Sequence, residues 1–238
     1  MIPVNLFTVG HRKPVWNPTG GIVTNLIVGG KESIEPSLAD MQGQCWVMAH
    51  GPTYGIVGFQ GYRKHLDFRH GAEIKGDWVN MTPNEFHNYQ EWQKSHAAHN
   101  IRSLLADRDI LTNPPFDVSY NTNIAEDFKV SASTADWDAL EMVMRRHGDF
   151  DFKLTTVTSY CVLTTTFPVF NEWMKFWRKV IIDLRIALPA KCVDPGPRPD
   201  IYIPRRLAFL SERMFSLWLA SSEYTVKPLP LLVCWEYK

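Results

Sequence analysis

Two short basic clusters carry the strongest chemical signal in this chain of 238 residues. One is His11-Arg12-Lys13. The other is Tyr62-Arg63-Lys64-His65. Each follows an apolar, β-rich run, residues 3–9 before the first and 54–60 before the second. In open α/β sheets, ligands bind beyond the carboxyl ends of the strands. Cations there suit a diphosphate, which needs positive charge and directed donors. Arginine supplies both in one planar fork. Solvated surface charge is the alternative for any single Arg-Lys pair. Two such loops at two strand ends bring the anion-site reading level with it.

Other reactive side chains point less clearly. Asp136-Trp137-Asp138 follows Ser133-Thr134-Ala135 and opens a helical stretch. Acidic residues in a first turn suit the helix dipole without a metal. His87, His96 and His99 share one helical stretch, but no third ligand stands near them at a diagnostic spacing. Cys45, Cys161, Cys192 and Cys234 form no close pair, which fits reduced thiols rather than a zinc site or a disulfide framework. No metal site is expected from spacing alone.

The elements that must position the basic loops can be read from periodicity. Strands are expected over residues 3–9, 22–28, 54–60, 109–112, 154–165 and 227–235. Helices are expected over residues 36–50, 82–105, 136–147, 167–188 and 205–220. Thr82-Pro83-Asn84-Glu85 has the form of a capping box with proline at the first helical position. Phe170, Trp173, Met174, Trp177, Val180, Ile181 and Leu184 make one apolar stripe. Residues 115–129 and the proline-dense stretch 189–204 are expected to be loops. Alternating strands and helices argue for an α/β fold. With no repeat and no low-complexity linker, residues 1–238 are expected to form one domain.

Composition sets outer limits. The chain is 45% hydrophobic and 21% charged, enough for an ordinary core and against disorder. Its formal net charge is zero, which weakens the case for tight nucleic-acid binding. Residues 1–7 lack the basic and apolar regions of a signal peptide, and no run reaches the ~20 apolar residues of a membrane span. The expected location is cytoplasmic.

The second basic loop lies in the frame Val57-Gly58-Phe59-Gln60-Gly61-Tyr62-Arg63-Lys64-His65-Leu66. That frame resembles the signature of a family of bacterial glycosyltransferases linked to capsular polysaccharide and lipopolysaccharide synthesis, a strand followed by His-Tyr-Arg-Arg-Tyr-Phe. Gly58, Tyr62 and Arg63 match, and Lys64 keeps the charge. Gly61 stands where the family has histidine, and His65 where it has tyrosine. Val9-Gly10-His11-Arg12-Lys13 is similar to the family's opening strand and loop. Ser159-Tyr160-Cys161-Val162-Leu163 with Phe170-Asn171-Glu172-Trp173 resembles a later strand and helix. Arg205-Arg206-Leu207-Ala208-Phe209-Leu210-Ser211-Glu212-Arg213-Met214 resembles a segment near the family's end.

The resemblance implies a GT-A-like domain with a mainly parallel central sheet flanked by helices, holding a nucleoside diphosphate sugar at its strand ends. His11, Arg12, Lys13, Tyr62, Arg63, Lys64, Arg205 and Arg213 are the residues it offers for that donor. Such enzymes usually carry an Asp-x-Asp after the central strand for a divalent metal. Here Gly61-Tyr62-Arg63-Lys64 takes that place, so Arg63 and Lys64 are expected to neutralise the diphosphate. Asp67 is the nearest candidate ligand should a metal take part. A hydroxyl acceptor must lose its proton, and an inverting transfer needs a base for it. Glu212 is the positional candidate. A helix carboxylate paired with Arg205, Arg206 or Arg213 is its non-catalytic reading. Asp109 beside a strand is the fallback.

The expectation is therefore sugar transfer from a nucleotide sugar to a hydroxyl, with a carbohydrate acceptor. One alternative acceptor is a hydroxymethylated base in DNA, which would have to be flipped out or single-stranded. A second alternative is a non-catalytic nucleotide- or glycan-binding module.

Overall fold

Val4–Gly10 (β1), Val23–Ile27 (β2) and Ile56–Gly61 (β3) run parallel, with β1 in the middle. The computed structural model describes residues 1–10, 21–27, 36–76, 78–158 and 162–236. Side chains of β1 alternate between two cores, as the two-residue strand period requires. Val4 and Leu6 join one apolar cluster, Phe7 and Val9 the other. Gly58 is where β3 is squeezed. A Cβ there would lie 2.5 Å from both Leu6 Cδ2 and Thr164 Oγ1.

After β3 the chain does not enter a helix. It turns through Tyr62 and Arg63 into the antiparallel strand Lys64–Leu66 (β4), with Gly61 opposite Lys64. Val79–Asn80 (β5) follows, then the long helix Pro83–Leu104 (α2). The expected capping box is present. Thr82 Oγ1 accepts from Glu85 N, and the Glu85 carboxylate accepts from Thr82 N at 2.9 Å. Ala97, Ile101 and Leu104 of α2 cover one face of the sheet.

Ile110–Thr112 (β6) and Leu163–Thr166 (β9) complete the centre. β9 lies between β3 and β6 and is antiparallel to both. Val226–Pro228 (β10) is parallel to β6, and Leu231–Val233 (β11) pairs with β4 and β5. Among the described residues this makes a nine-stranded mixed sheet with four parallel and four antiparallel pairings. The expectation of a mainly parallel sheet is corrected by β4 and β9. A hairpin turn and a reversed central strand replace two of the crossovers a parallel sheet would need.

The second face is covered by Met41–His50 (α1), Ile124–Ser131 (α3), Thr134–His147 (α4), Phe167–Ala187 (α5) and Arg206–Ser221 (α7). The α5 stripe is buried as its spacing predicts, from Val169 and Phe170 to Leu184. Three other stretches differ from expectation. Residues 115–129 hold Phe116–Asp117 (β7), a 3-10 turn and α3, whose N-terminus is capped by the Asn123 side chain. The strand expected over 154–165 is two strands: Thr156–Val157 (β8), which pairs with β7, and then β9. The loop at 189–204 contains the short helix Pro199–Tyr202 (α6) and the start of a 3-10 turn, Ile203–Arg205. Among the described residues, no helix is long and apolar enough to cross a membrane.

Candidate functional site

The Tyr62-Arg63 turn sits at the carboxyl edge of the parallel strands and is held from both sides. Tyr62 N donates to Val9 O at 3.0 Å, which ties the turn to the end of β1. Cys234 N donates to Arg63 O at 3.0 Å, which ties it to the end of β11. The Arg63 guanidinium lies 4.7 Å from the Tyr62 ring centroid. Lys64 Nζ lies 5.6 Å from the ring centroid of Trp235, which is 49% exposed.

Lys64 is the chemically unusual member. Burial pushes its pKa down from 10.5 to about 8, because a desolvated ammonium is unfavourable. Glu212 and Asp40 act against that shift as nearby negative charges. Arg205 and Arg63 add to it as nearby positive ones. Elements distant in sequence thus converge on one amine: the β3–β4 turn, the entrance of α1 at Asp40, the turn before α7 and α7 itself. They converge because the 3-10 turn Pro36–Leu38 packs on α7 and on the Ile203–Arg205 turn. Ala39, just before Asp40, has φ of +43°, a conformation costly for a residue with a side chain.

Glu212 has a second neighbourhood. It lines a cleft of about 320 Å³ between α3, α6 and α7, together with Phe209, Tyr202, Arg198 and Arg213. The carboxylate therefore acts on the cation turn through its charge and lines an open cleft.

Of the residues expected from sequence, Arg63, Lys64, Arg205 and Glu212 are brought together. Tyr62 belongs to the same turn. His11, Arg12 and Lys13 lie outside the described residues. Arg213 lines the cleft, but its Nη2 donates to Asp127 Oδ2 at 2.9 Å and both side chains are largely buried. Asp109 is not part of this group. It precedes β6, and Ile110 is level with Thr165 and Val57. That places Asp109 at the amino edge of the sheet, level with Ile56 and about 17 Å along the strands from the level of Gly61. There it accepts hydrogen bonds from Thr225 N and Oγ1 at 2.8 and 2.7 Å.

Asp67 does not fit a metal. Its two carboxylate oxygens are taken by Arg69 Nε at 2.8 Å and Nη2 at 2.6 Å. Among the described residues, no group of three His, Cys, Asp or Glu is placed to hold a metal ion. In the Asp-x-Asp triplet, Asp136 is fully buried, receives a two-pronged contact from Arg206, and accepts from Tyr202 OH at 2.5 Å. Asp138 lies 3.7 Å from Lys129. The triplet is the start of α4, as its helix-opening position suggests.

Gly61 departs from the histidine of the resembled signature, and the backbone does not demand glycine. A Cβ there would meet Lys64 Cβ at 3.7 Å, an ordinary contact. His65 turns inward. It is fully buried, with Nδ1 3.0 Å from Gln93 Oε1, and burial pushes its pKa down to about 3. Gln93 also exchanges hydrogen bonds with Gln60, which donates to Thr8. The floor beneath the cation turn is therefore polar and interlocked.

Two members of the site were not legible as such. Trp235 follows the last strand with nothing local to mark it as a neighbour of Lys64. Asp40 falls inside the helix expected over 36–50. The helical turn before it is 3-10, and α1 begins at Met41. An aspartate at a helix start was the available signal.

A family model described as "Domain of unknown function (DUF4422)" matches residues 33–223. The match includes the Arg63 turn, Arg205 and Glu212. No curated protein sequence matches the chain. Among solved structures, the fold is similar to the apo structure of WbbM, a bifunctional glycosyltransferase, with a TM-score of 0.78 and 15% sequence identity. The alignment covers 98% of this chain and 45% of that one, so the chain spans under half the length of the structure it resembles. At that identity the likeness is one of fold.

Proposed function

The chain belongs to the DUF4422 family, and from its site we propose that it transfers a glycosyl group from a nucleoside diphosphate sugar to a hydroxyl acceptor, a carbohydrate in the first instance. The observation that carries this is the convergence of Arg63, Lys64 and Arg205 with Glu212 at the carboxyl edge of β3. The fold shared with a glycosyltransferase structure supports it.

In this reading the diphosphate lies against the Arg63 turn. The acceptor oxygen attacks the anomeric carbon as the bond from that carbon to the diphosphate oxygen breaks. The bonding pair leaves with the diphosphate, where Arg63, Lys64 and Arg205 stabilise the charge that develops. Such prepositioned charge is commonly the largest contribution to catalysis. The acceptor proton passes to Glu212, which is the inverting form of the reaction. His11, Arg12 and Lys13 would extend the same anion site from the end of β1. Arg213 would act through the cleft wall and not as a free phosphate ligand, because Asp127 holds it.

The test is a thermal-shift panel of nucleoside diphosphates and their sugars, with and without Mn²⁺, followed by transfer assays. Binding should raise the melting temperature by mass action. No shift with any donor would sink the reading. Donor binding without hydrolysis or transfer would leave a binding module instead. The acceptor panel should include DNA carrying hydroxymethylated bases, and transfer only to that DNA would replace the carbohydrate acceptor.

A further inference from the structure

A second cleft lies at the same edge of the sheet, and its chemistry differs from that of the first. It has a volume of about 340 Å³, within the ~300–1,000 Å³ of small-molecule sites. Its wall contains Asn113, Thr156, Thr158, Ser216, Leu219 and Val226, and among the described residues no charged side chain lines it. A phosphate or carboxylate would find no counter-charge there. The wall instead mixes hydroxyl and amide groups with aliphatic carbon.

Asn113 marks the polar end of this cleft. It follows β6 directly and is fully buried. Its Nδ2 donates to Pro114 O at 2.8 Å, which fixes the amide. Its Oδ1 has no hydrogen-bond partner among the described residues. A buried acceptor left unpaired costs free energy, and natural proteins seldom leave one without a purpose. A hydroxyl donor that parts the cleft wall at Asn113 would satisfy it.

Register fixes where the cleft stands relative to the cation turn. Thr112 is opposite Leu163, and Leu163 is opposite Phe59. Asn113 is therefore level with Gln60, two strands away, roughly 10 Å at the usual strand spacing. Along α7, Ser216 lies one turn beyond Glu212 and donates to its carbonyl at 3.0 Å. The same hydroxyl accepts from Thr158 N at 3.0 Å, so the cleft wall is braced to the helix that carries the acid.

We propose that this cleft is the acceptor subsite and that it takes a neutral, unphosphorylated sugar ring, with a ring hydroxyl donating to Asn113 Oδ1. The assignment rests on the glycosyl-transfer reading. The neutral wall selects against sugar phosphates. The aliphatic residues meet the C–H faces of the ring, while Thr156 and Thr158 offer hydroxyls.

The experiment titrates methyl glycosides of glucose, galactose, mannose and N-acetylglucosamine, the matching sugar phosphates, and nucleoside diphosphates against the intact chain by ligand-observed NMR. Wild type should bind at least one methyl glycoside and prefer it to its phosphate. Asn113→Ala should lose about tenfold or more in glycoside affinity, the worth of one buried hydrogen bond, with nucleoside diphosphate affinity unmoved. Because Asn113 is buried, Thr156→Trp is the second variant. It fills the cleft from an exposed position and should give the same split. No glycoside binding by wild type, or unchanged binding in both variants, overturns the proposal. So does a loss confined to the nucleotide sugar, which would make this the donor's sugar pocket. Glycoside binding without any nucleoside diphosphate binding would retain the cleft and remove the glycosyl-transfer reading on which its acceptor role depends.

Discussion

Glu212, on α7, is the strongest opposing charge acting on Lys64, on β4, and it works against the burial that lowers the lysine's pKa to about 8. Neither residue has a local reason to know of the other. Their meeting depends on the turn that reverses β3 and on the packing of the Pro36–Leu38 turn against α7. An amine poised near neutrality beside an acid is the sort of perturbed pair that clusters at functional sites.

Lys64 should make diphosphate affinity depend on pH. A bound diphosphate favours the ammonium, so binding is coupled to its protonation. Affinity should be flat below pH 8 and fall by up to about tenfold per unit above it. Isothermal titration of a nucleoside diphosphate between pH 6.5 and 9.5 reads this directly. Lys64→Arg should remove the inflection near pH 8. A slope unchanged in that variant would assign the titration to another group.

Glu212→Gln should separate binding from turnover. The amide keeps the shape but cannot take the acceptor proton. The expected loss in kcat is about 10²–10⁴-fold, the usual contribution of a general base, with donor KM changed far less. A drop in donor affinity with kcat preserved would make Glu212 a partner of Lys64 and nothing more.

Asp136→Ala should destabilise the fold without any dependence on metal. It strips the buried partner from Arg206 and from Tyr202 OH. Removing one member of a buried pair costs about 3–5 kcal/mol. Chemical denaturation with and without Mn²⁺ tests both parts. A stability gain from Mn²⁺ in wild type that is lost in the variant would restore the triplet as a metal ligand.

His65 should contribute acid sensitivity. Its folded pKa of about 3 lies below the ordinary 6.5, so the unfolded chain binds the proton first. Stability from this group is complete above about pH 6.5 and is lost as pH falls towards 3, at up to about 1.4 kcal/mol per unit. His65→Leu should flatten the decline between pH 6.5 and 4 in denaturation curves. Equal slopes for the two proteins would show that the imidazole is not the group responsible.

What was legible in the sequence was mostly local. The Thr82–Glu85 cap and the α5 stripe are written in residues a turn apart, and both formed as expected. The basic turn after β3 was also readable, because a strand and the loop after it are contiguous. Strand direction was not. Nothing in Leu163–Thr166 marks it as running against its neighbours, so a parallel sheet was expected where a mixed one formed. α3 was missed because polar residues surround its Asn123 cap and hide a short apolar face. Glu212 stood ahead of Asp109 as a base only by its place on a late helix. Strand register places Asp109 at the amino edge, and the packing of α7 brings the charge of Glu212 to bear on Lys64. Asp40 and Trp235 reach the site through tertiary packing alone.

The bond from Cys234 to the Arg63 carbonyl also makes the flanks of β1 and β11 unequal as points of attachment. Val4, near the amino end, is level with Ile56 at the sheet's opposite edge. Trp235, near the carboxyl end, rests by Lys64. A tether attached at Trp235 is anchored beside the cation turn and competes with ligands for approach. The same tether attached next to Val4 is anchored at the far rim and leaves the turn facing the solution.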